Sequence, residues 1–333
     1  MNSAFLACVG LAALIAGASP AAALDRVKIA VVSSLSSAPA FVANAKGYFR
    51  NEGLDVDLVH FDSAAPIAVA VASGDVDFAS AGLAAAFFTL ANQGVLKIIG
   101  SGNGEHKGFQ GIGYILSNRA YDAGIRRFED LKGRSVAITQ LGSALQYSLD
   151  LVLRKHGVDM KDVRLLPLQS NQNVASAIAG GQADAAVQSG PNIYALVNKG
   201  NARLLAWYSD ELSQSPGDAT YTSAKLANAR PETVKHFMAA FRKGAATWDA
   251  AFLDAAGNRV DQPSAPEMIA IAAKGLDQPE AVIRLGLTWF DPQLRIAVAD
   301  IQGSLDWYYQ QGMLKTPMNA RSMIDFRYAI EEK

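Results

Sequence analysis

Residues 55–80 read DVDLVHFDSAAPIAVAVASGDVDFAS, and residues 162–187 read DVRLLPLQSNQNVASAIAGGQADAAV. Around them, the segments 29–80 and 136–187 align without a gap at an offset of 107 residues and are identical at 12 of 52 positions. The alternative is that these identities arise by chance in a chain rich in Ala, and this alternative weakens mainly the Ala matches. The matched Ser, Asp and Gly residues fall where strands end and helices begin. The offset therefore predicts a structural repeat, with two lobes of similar β/α topology.

Each copy alternates short apolar runs with helical segments. Val27–Val32 is a β-branched run typical of a buried strand, and Ala38-Pro39 opens a helix with Pro near its first position. Strands separated by helices in this way predict parallel β-α-β units and hence an α/β protein. From Arg230 onward the pattern is helical alone, with helices expected to open at Pro231, Pro266, Pro279 and Pro292.

The composition excludes several classes of function. The 333-residue chain has 30 Lys and Arg against 31 Asp and Glu, a net charge of −1, which argues against a nucleic-acid surface. A single Cys rules out a disulfide framework and a Cys-rich metal site, and the four His residues are too scattered to pair on a metal. We therefore expect no nucleic-acid partner, no metal and no cofactor.

The N-terminus indicates export. Residues 1–24 contain no charged side chain, and Ala21-x-Ala23 forms a typical cleavage signal after an apolar stretch. A short membrane anchor is the alternative, but the stretch is short and ends in helix-breaking residues. We predict a cleaved signal peptide over residues 1–23 and a protein that resides in the periplasm.

No catalytic motif is present in the sequence, but small polar residues recur where strands lead into helices. In an open parallel sheet these junctions lie at the carboxyl ends of the strands, where ligands bind, and helix N-termini there suit an anionic group. Each Ser has an alternative role as a simple N-cap. The candidate ligand-binding residues are Ser36, Ser37, Ser63, Ser80, Gly142, Ser143 and Gln188.

A second candidate location is the segment 105–110. Two Gly-rich stretches, Gly100–Gly104 and Gly108–Gly113, precede and overlap this segment and predict a flexible crossover. A phosphate-binding loop would need a helix to begin there, but both stretches lie between predicted strands. Lys107 would supply a positive charge there. A lone Lys on such a loop is usually only solvated.

Several strings resemble one known family. APAFVANAKGYFRNEGLDVDLV (38–59), FEDLKGRSVAI (128–138) and GQADAAV (181–187) are similar to periplasmic ABC-transporter substrate-binding proteins of the nitrate/sulfonate/taurine type, a group that includes binders of thiamine-pyrimidine precursors. The segment Gln188-Ser189-Gly190-Pro191 keeps the Pro of a Trp-x-Pro-type segment found in many relatives but lacks its aromatic residue.

The resemblance implies a two-lobe type II periplasmic-binding-protein fold. Each lobe would be a mainly parallel sheet flanked by helices, with a helical C-terminal extension on the first lobe. The expected division is 24–117 for the first part of lobe I, 118–208 for lobe II and 209–333 for the second part of lobe I. The chain would cross between the lobes near Ser117–Asn118 and Tyr208–Ser209.

The same resemblance implies a function. We expect a monomeric, non-enzymatic receptor that holds a small, anionic organic solute such as a sulfonate or carboxylate between its lobes. Its partner would be the membrane permease of an ABC importer. One alternative is a pyrimidine-synthase-like enzyme, a branch for which the resemblance implies a Cys-rich motif and an active-site His. The other alternative is a ligand-sensing partner of a membrane receptor kinase.

Overall fold

The computed structural model describes residues 24–106, 108–212 and 217–332. The expected signal peptide and Lys107 lie outside these residues. In chain order, the strands and helices are β1 (Asp25–Val32), α1 (Ala38–Ala45), α2 (Tyr48–Asn51), β2 (Leu54–Phe61), α3 (Ala64–Ser73), β3 (Phe78–Gly82), α4 (Ala85–Asn92), β4 (Leu96–Ser101), β5 (Asn103–Gly104), β6 (Ile112–Leu116), α5 (Asn118–Asp122), β7 (Ser135–Ile138), α6 (Ala144–Lys155), β8 (Arg164–Pro167), α7 (Asn171–Ala179), β9 (Ala185–Ser189), α8 (Gly190–Asn198), β10 (Arg203–Trp207), α9 (Tyr208–Glu211), β11 (Asp218–Ser223), α10 (Ala224–Ala229), α11 (Pro231–Ala250), α12 (Ala265–Leu276), α13 (Glu280–Leu285), β12 (Trp289–Phe290), β13 (Arg295–Ile296), α14 (Val298–Gln310), α15 (Ala320–Met323) and β14 (Ile330–Glu331). The described residues also form three short 3₁₀ turns, at Leu35–Ser37, Phe128–Leu131 and Met160–Asp162.

Two five-stranded sheets define two lobes. Lobe I has the order β2-β1-β3-β11-β4, and lobe II has the order β8-β7-β9-β6-β10. In each sheet the first three strands are parallel. The fourth strand of each runs antiparallel to both of its neighbours. The predicted two-lobe α/β fold, with mainly parallel sheets, is confirmed.

The sequence repeat extends to the pairing of individual residues. Ile29 of β1 lies opposite Leu58 of β2, and Val136 of β7 lies opposite Leu165 of β8, in each case 107 positions further along the chain. The β1–β3 and β7–β9 pairs keep the same offset. A slip of one residue would turn every side chain to the opposite face of the sheet. The predicted equivalence of the two segments, each in its own lobe, is therefore confirmed at single-residue resolution.

The first passage between the lobes lies earlier in the chain than expected. Strand β6 pairs with β9 and β10, so it belongs to lobe II, and the chain passes between the lobes after β5, which pairs with β12, and before β6. Assigning residues up to 117 to lobe I was wrong for this strand, because β6 supplies the antiparallel strand that the sheet of lobe II needs between β9 and β10. The second passage leads from β10 to β11, and Tyr208–Ser209 lies within it.

The C-terminal helices pack on lobe I. Helix α11 begins at Pro231, as predicted, and lies against α1, while its Phe237 ring stacks on Phe78 of β3 with centroids 3.8 Å apart. The helix expected at Pro292 does not form. Instead, the Asp291 carboxylate accepts the backbone N–H of Gln293 at 2.9 Å and holds a turn that leads into β13.

Within the described ranges, no helix combines the length and the apolar character that a membrane crossing requires.

Candidate ligand-binding site

The two lobes enclose a cavity of about 100 Å³ at the carboxyl ends of their parallel strands. Ser36 and Ser63 line it from lobe I, and Ser143 and Asn171 line it from lobe II. Ligands of open α/β sheets bind at this edge because the helices that follow the strands begin there. Three of the predicted residues, Ser36, Ser63 and Ser143, are thus brought together.

The serines at the starts of α3 and α6 differ in what their hydroxyls do. Ser143 Oγ accepts the backbone N–H of Gln146 at 3.2 Å, so it caps α6. Ser63 is the N-cap residue of α3, yet its side chain makes no capping hydrogen bond. The first residues of both helices line the cavity, and a helix N-terminus carries backbone N–H groups and the positive end of the helix dipole, which suit an anionic group.

Four of the seven predicted residues do not line this cavity: Ser37, Ser80, Gln188 and Gly142. Ser37 Oγ accepts the backbone N–H of Val32 at 3.0 Å and ties the end of β1 to the turn that follows. Ser80 is buried within β3, and Gln188 is fully buried and donates to the carbonyl of Asn171 at 3.3 Å. Ser37 and Gln188 thus tie backbone segments beside strand ends, whereas the Ser80 hydroxyl has no hydrogen-bond partner among the described residues.

Gly142 contacts the opposite lobe and does not line the cavity. Its carbonyl accepts the backbone N–H of Ala85 at 2.9 Å, and a Cβ at Gly142 would lie 3.1 Å from that of Ala85. Elsewhere in the interface, a Cβ at Gly286 of lobe I would lie only 2.5 Å from the backbone nitrogen of Pro191 in lobe II. The two lobes therefore touch each other at separate points outside the cavity.

A second cavity, of about 210 Å³, adjoins the first and has a different character. Asn103 and Asp218 line both cavities, and Glu105 lines the second. Burial raises the pKa of Asp218 to about 7. Burial, and to a lesser degree the neighbouring Asp218 carboxylate, raises the pKa of Glu105 to about 8. Sequence reasoning missed Asp218 and noted Glu105 only as the start of a loop, because no spacing rule links residues so far apart in the chain.

The Gly-rich crossover is well packed, contrary to the expected flexible loop. A Cβ at Gly102 would lie 2.6 Å from the Cβ of Asp218, and one at Gly104 would lie 2.8 Å from the Trp289 ring. Strand β5, within this stretch, pairs with β12. The glycines let the backbone pass directly against Asp218, and this places Asn103 and Glu105 beside it.

The two lobes and the cavity between them are the architecture of a two-lobe ligand-binding protein. Comparison with known proteins identifies the family to which the chain belongs. The model of the family described as "NMT1/THI5 like" matches residues 34–250, and the chain belongs to that family. The taurine-binding periplasmic protein of Escherichia coli is 28% identical over 219 residues, 63% of this chain and 63% of its own length. The 4-amino-5-hydroxymethyl-2-methylpyrimidine phosphate synthase of Schizosaccharomyces pombe is 27% identical over 150 residues, 45% of this chain and 40% of its own.

Among solved structures, the alkanesulfonate-binding protein SsuA of Xanthomonas axonopodis pv. citri, bound to MOPS, superposes with a TM-score of 0.72. The sequence identity is 22%, and the match covers 90% of this chain and 98% of the other. This likeness shows the periplasmic-binding-protein fold. The chain spans less than two thirds of the length of the curated relatives that it matches.

Proposed function

We propose that this protein is a periplasmic receptor that captures a small organic solute with an anionic group and delivers it to the membrane permease of an ABC importer. The observation that carries the proposal is the cavity between the two lobes, with the starts of α3 and α6 on its two walls. Nitrate, sulfonate and carboxylate groups all suit such N–H donors.

Capture would use the two chain passages as hinges. A solute that touches Ser36 and Ser63 on one wall and Ser143 on the other binds the closed form more tightly than the open form. It shifts the equilibrium toward closure only by that difference in affinity. Closure then presents both lobes to a permease in a fixed arrangement, and we expect the receptor to act as a monomer.

The relatives support binding over catalysis. The taurine-binding relative matches over more of the chain than the pyrimidine phosphate synthase does. The synthase branch is expected to use a Cys-rich motif, whereas the one Cys of this sequence, Cys8, falls within the expected signal peptide. A sensing role with a receptor kinase differs from transport in the partner alone. An adjacent permease and ATPase gene pair supports transport, and an adjacent kinase gene contradicts it.

The direct test is a thermal-shift screen of the mature chain with sulfonates, nitrate, carboxylates and pyrimidines. A true ligand present at 100 times its Kd adds about 2.7 kcal/mol to the free energy of unfolding. We expect one class to raise the melting temperature in a saturable way with no chemical change in the compound. Turnover of a pyrimidine precursor, or no stabilisation by any compound or by a metabolite extract, contradicts the proposal.

A further inference from the structure

The two passages between the lobes bring two carboxyl groups together. Glu105 follows β5 at the start of the first passage, and Asp218 is the first residue of β11, at the end of the second. Both residues line the second cavity, and the Asp218 carboxylate is close enough to raise the pKa of Glu105. Gly102 ties the two passages to each other, because its N–H donates to the Asp218 carbonyl at 3.0 Å. Glu105 and Asp218, the hinge pair, thus supply one acidic group from each passage.

The polar atoms around the hinge pair lack hydrogen-bond donors. Ser101 Oγ, Asn103 Oδ1, Glu105 Oε1 and Asp218 Oδ1 are buried and have no partner in the described part of the chain. A buried acceptor without a donor is costly, and a carboxylate supplies acceptors alone. A protonated carboxyl supplies an O–H donor as well. Protonation of the hinge pair therefore adds the kind of group that this cluster needs.

We propose that the hinge pair is a proton-controlled switch for the two lobes: the neutral pair favours the arrangement of this structure, with the lobes in contact, and the ionised pair favours their separation. Asp218 also lines the cavity between the lobes, so separation brings water to it. Water stabilises a carboxylate, and two neighbouring carboxylates repel each other. The switch concerns the positions of the lobes and does not depend on which solute binds between them.

The pKa values place the switch near neutral pH. Burial raises the pKa of Asp218 to about 7, and burial, followed by the Asp218 carboxylate, raises the pKa of Glu105 to about 8. Their ordinary pKa values are 3.8 and 4.5, so the pair binds protons more tightly with the lobes in contact than it would in water. Low pH therefore favours contact, and this advantage is lost as the pH rises through about 7 to about 8.

The charged groups around the hinge pair do not neutralise it. The other acidic residues that line the two cavities are Asp62, Asp291, Asp300 and Glu332. Arg295 lines the second cavity, but its Nε donates to Asp291 at 2.9 Å. Arg259, beside Gly108 in the first passage, pairs with Asp261 at 2.6 Å. Both guanidinium groups are thus held by other carboxylates, and the surrounding acidic residues add to the repulsion that ionisation creates.

The neighbouring phenols keep their protons while the hinge pair titrates. Burial raises the pKa of each of the four tyrosines that face the pair, which are Tyr114, Tyr208, Tyr221 and Tyr308. His106, next to Glu105 in the chain, packs its ring against Trp289 and Phe109. Because imidazole groups as a class change charge near neutral pH, the test needs variants that remove the hinge pair and keep His106.

The test follows the distance between the lobes by pulsed electron paramagnetic resonance as the pH is raised from about 6 to about 9, with no solute added. Spin labels on Ser33→Cys and Ser176→Cys occupy exposed positions that line the groove between the lobes, one in each lobe. The one natural Cys, Cys8, falls within the expected signal peptide.

We expect the distance distribution to shift to longer values through about pH 7 to about pH 8. The ratio of contacting to separated molecules should fall about tenfold for each pKa unit by which separation lowers the pKa of the pair. A distribution that stays constant from about pH 6 to about pH 9 overturns the switch and leaves the proposed function standing.

Variants assign the shift to the hinge pair. Glu105→Gln combined with Asp218→Asn keeps both side-chain shapes and removes both titrations, so the distribution should stay at its low-pH form. Asp249→Asn is the matched control, because burial also raises the pKa of this lobe I carboxyl, to about 8, yet it lines neither cavity. That variant should show the full shift.

A shift that persists in the double variant assigns control to another group, such as His106, and overturns the switch. Loss of the shift in Asp249→Asn overturns it as well, because the controlling carboxyl then lies outside the hinge. If the double variant does not fold, Asp218→Asn alone should reduce the shift, and an undiminished shift overturns the proposal.

Discussion

The carboxylate of Asp150, on helix α6 of lobe II, accepts the indole N–H of Trp307, on helix α14 of lobe I, at 2.6 Å. Asp150 is 0% exposed and Trp307 is 3% exposed. Burial raises the pKa of Asp150, and the hydrogen bond from Trp307 and the Arg154 guanidinium at 2.8 Å oppose that rise. The bond joins the two lobes at a point outside the cavity between them.

Trp307→Phe should weaken closure, because it removes the indole donor and keeps an aromatic ring near Tyr147. We expect a loss of about 1–3 kcal/mol in stability, measured by urea unfolding, and a weaker affinity for the ligand. Tyr308→Phe is the control: it deletes a buried O–H that donates at 2.9 Å to Leu83 within lobe I. That variant should lose stability and keep its affinity. Equal effects on affinity would show that the Trp307 bond has no special role in closure.

Gly286→Ala should hinder the closure of the two lobes on a ligand without preventing either lobe from folding. Gly286 has φ −105°, which Ala adopts readily, so the strain arises only from the other lobe, where the new Cβ would lie 2.5 Å from Pro191. We expect both lobes to fold and ligand affinity to fall by about tenfold or more, since closure must leave a gap at this point. Small-angle scattering at saturating ligand should show a larger radius of gyration than for the unaltered protein. An unchanged radius and affinity would contradict the closed contact.

Ser63→Ala and Ser143→Ala form a matched pair. Ser143 caps α6, so its loss should cost about 0.5–2 kcal/mol of stability as well as affinity. Ser63 makes no side-chain cap, so Ser63→Ala should reduce affinity by about threefold to tenfold with little change in melting temperature. Unchanged affinity in both variants would move the anion contacts away from these helices.

Asp249→Asn should change the pH dependence of stability. Burial, together with the nearby Asp291, raises the pKa of Asp249 to about 8 from 3.8, while its backbone hydrogen bond from Phe290 opposes the rise. The folded protein therefore holds a proton that the unfolded chain has released, and stability falls as pH rises from about 4 to about 8.

The Asn variant lacks this titration and can still accept the N–H of Phe290 through its amide oxygen. Its melting temperature relative to the unaltered protein should rise across that pH window and level off above pH 8. Asp277→Asn, at an exposed position whose left-handed backbone Asn tolerates, controls for the removal of one surface carboxylate. A difference for Asp249→Asn that does not change with pH would contradict the raised pKa.

The sequence predicted the fold well because the repeat constrains register. If Ile29 and Val136 are equivalent, they must lie on the same face of their strands and pair with equivalent residues. The observed pairs Ile29–Leu58 and Val136–Leu165 confirm this equivalence. Helix starts such as Pro231 were equally predictable, because Pro at the first turn leaves no donor unpaired. The failure at Pro292 has a local cause: Leu294 has φ 52°, a left-handed conformation that does not continue a right-handed helix, and its N–H closes a tight turn on the carbonyl of Asp291 at 2.8 Å.

The site was predictable only in part. Ser63 and Ser143 follow strands, and topology alone brings such positions together. Asp218 reaches the cavity because β11 returns from lobe II to fill a slot in lobe I, a pairing that no local pattern encodes. Strand β6 was placed in the wrong lobe for the same reason, because an antiparallel strand in a parallel sheet is recruited from a distant part of the chain.

Because β11 follows lobe II in the chain, the two lobes acquire their last strands in a fixed order during synthesis or export. All five strands of lobe II lie between Ile112 and Trp207, so that lobe is complete once this stretch has emerged from a ribosome or a translocation channel. Lobe I begins first in the chain but lacks β11, the strand between β3 and β4, until Asp218–Ser223 follows. Lobe II, although it begins later in the chain, is therefore the first lobe to have all its strands. The sheet of lobe I stays incomplete until the chain has passed through lobe II and supplied β11.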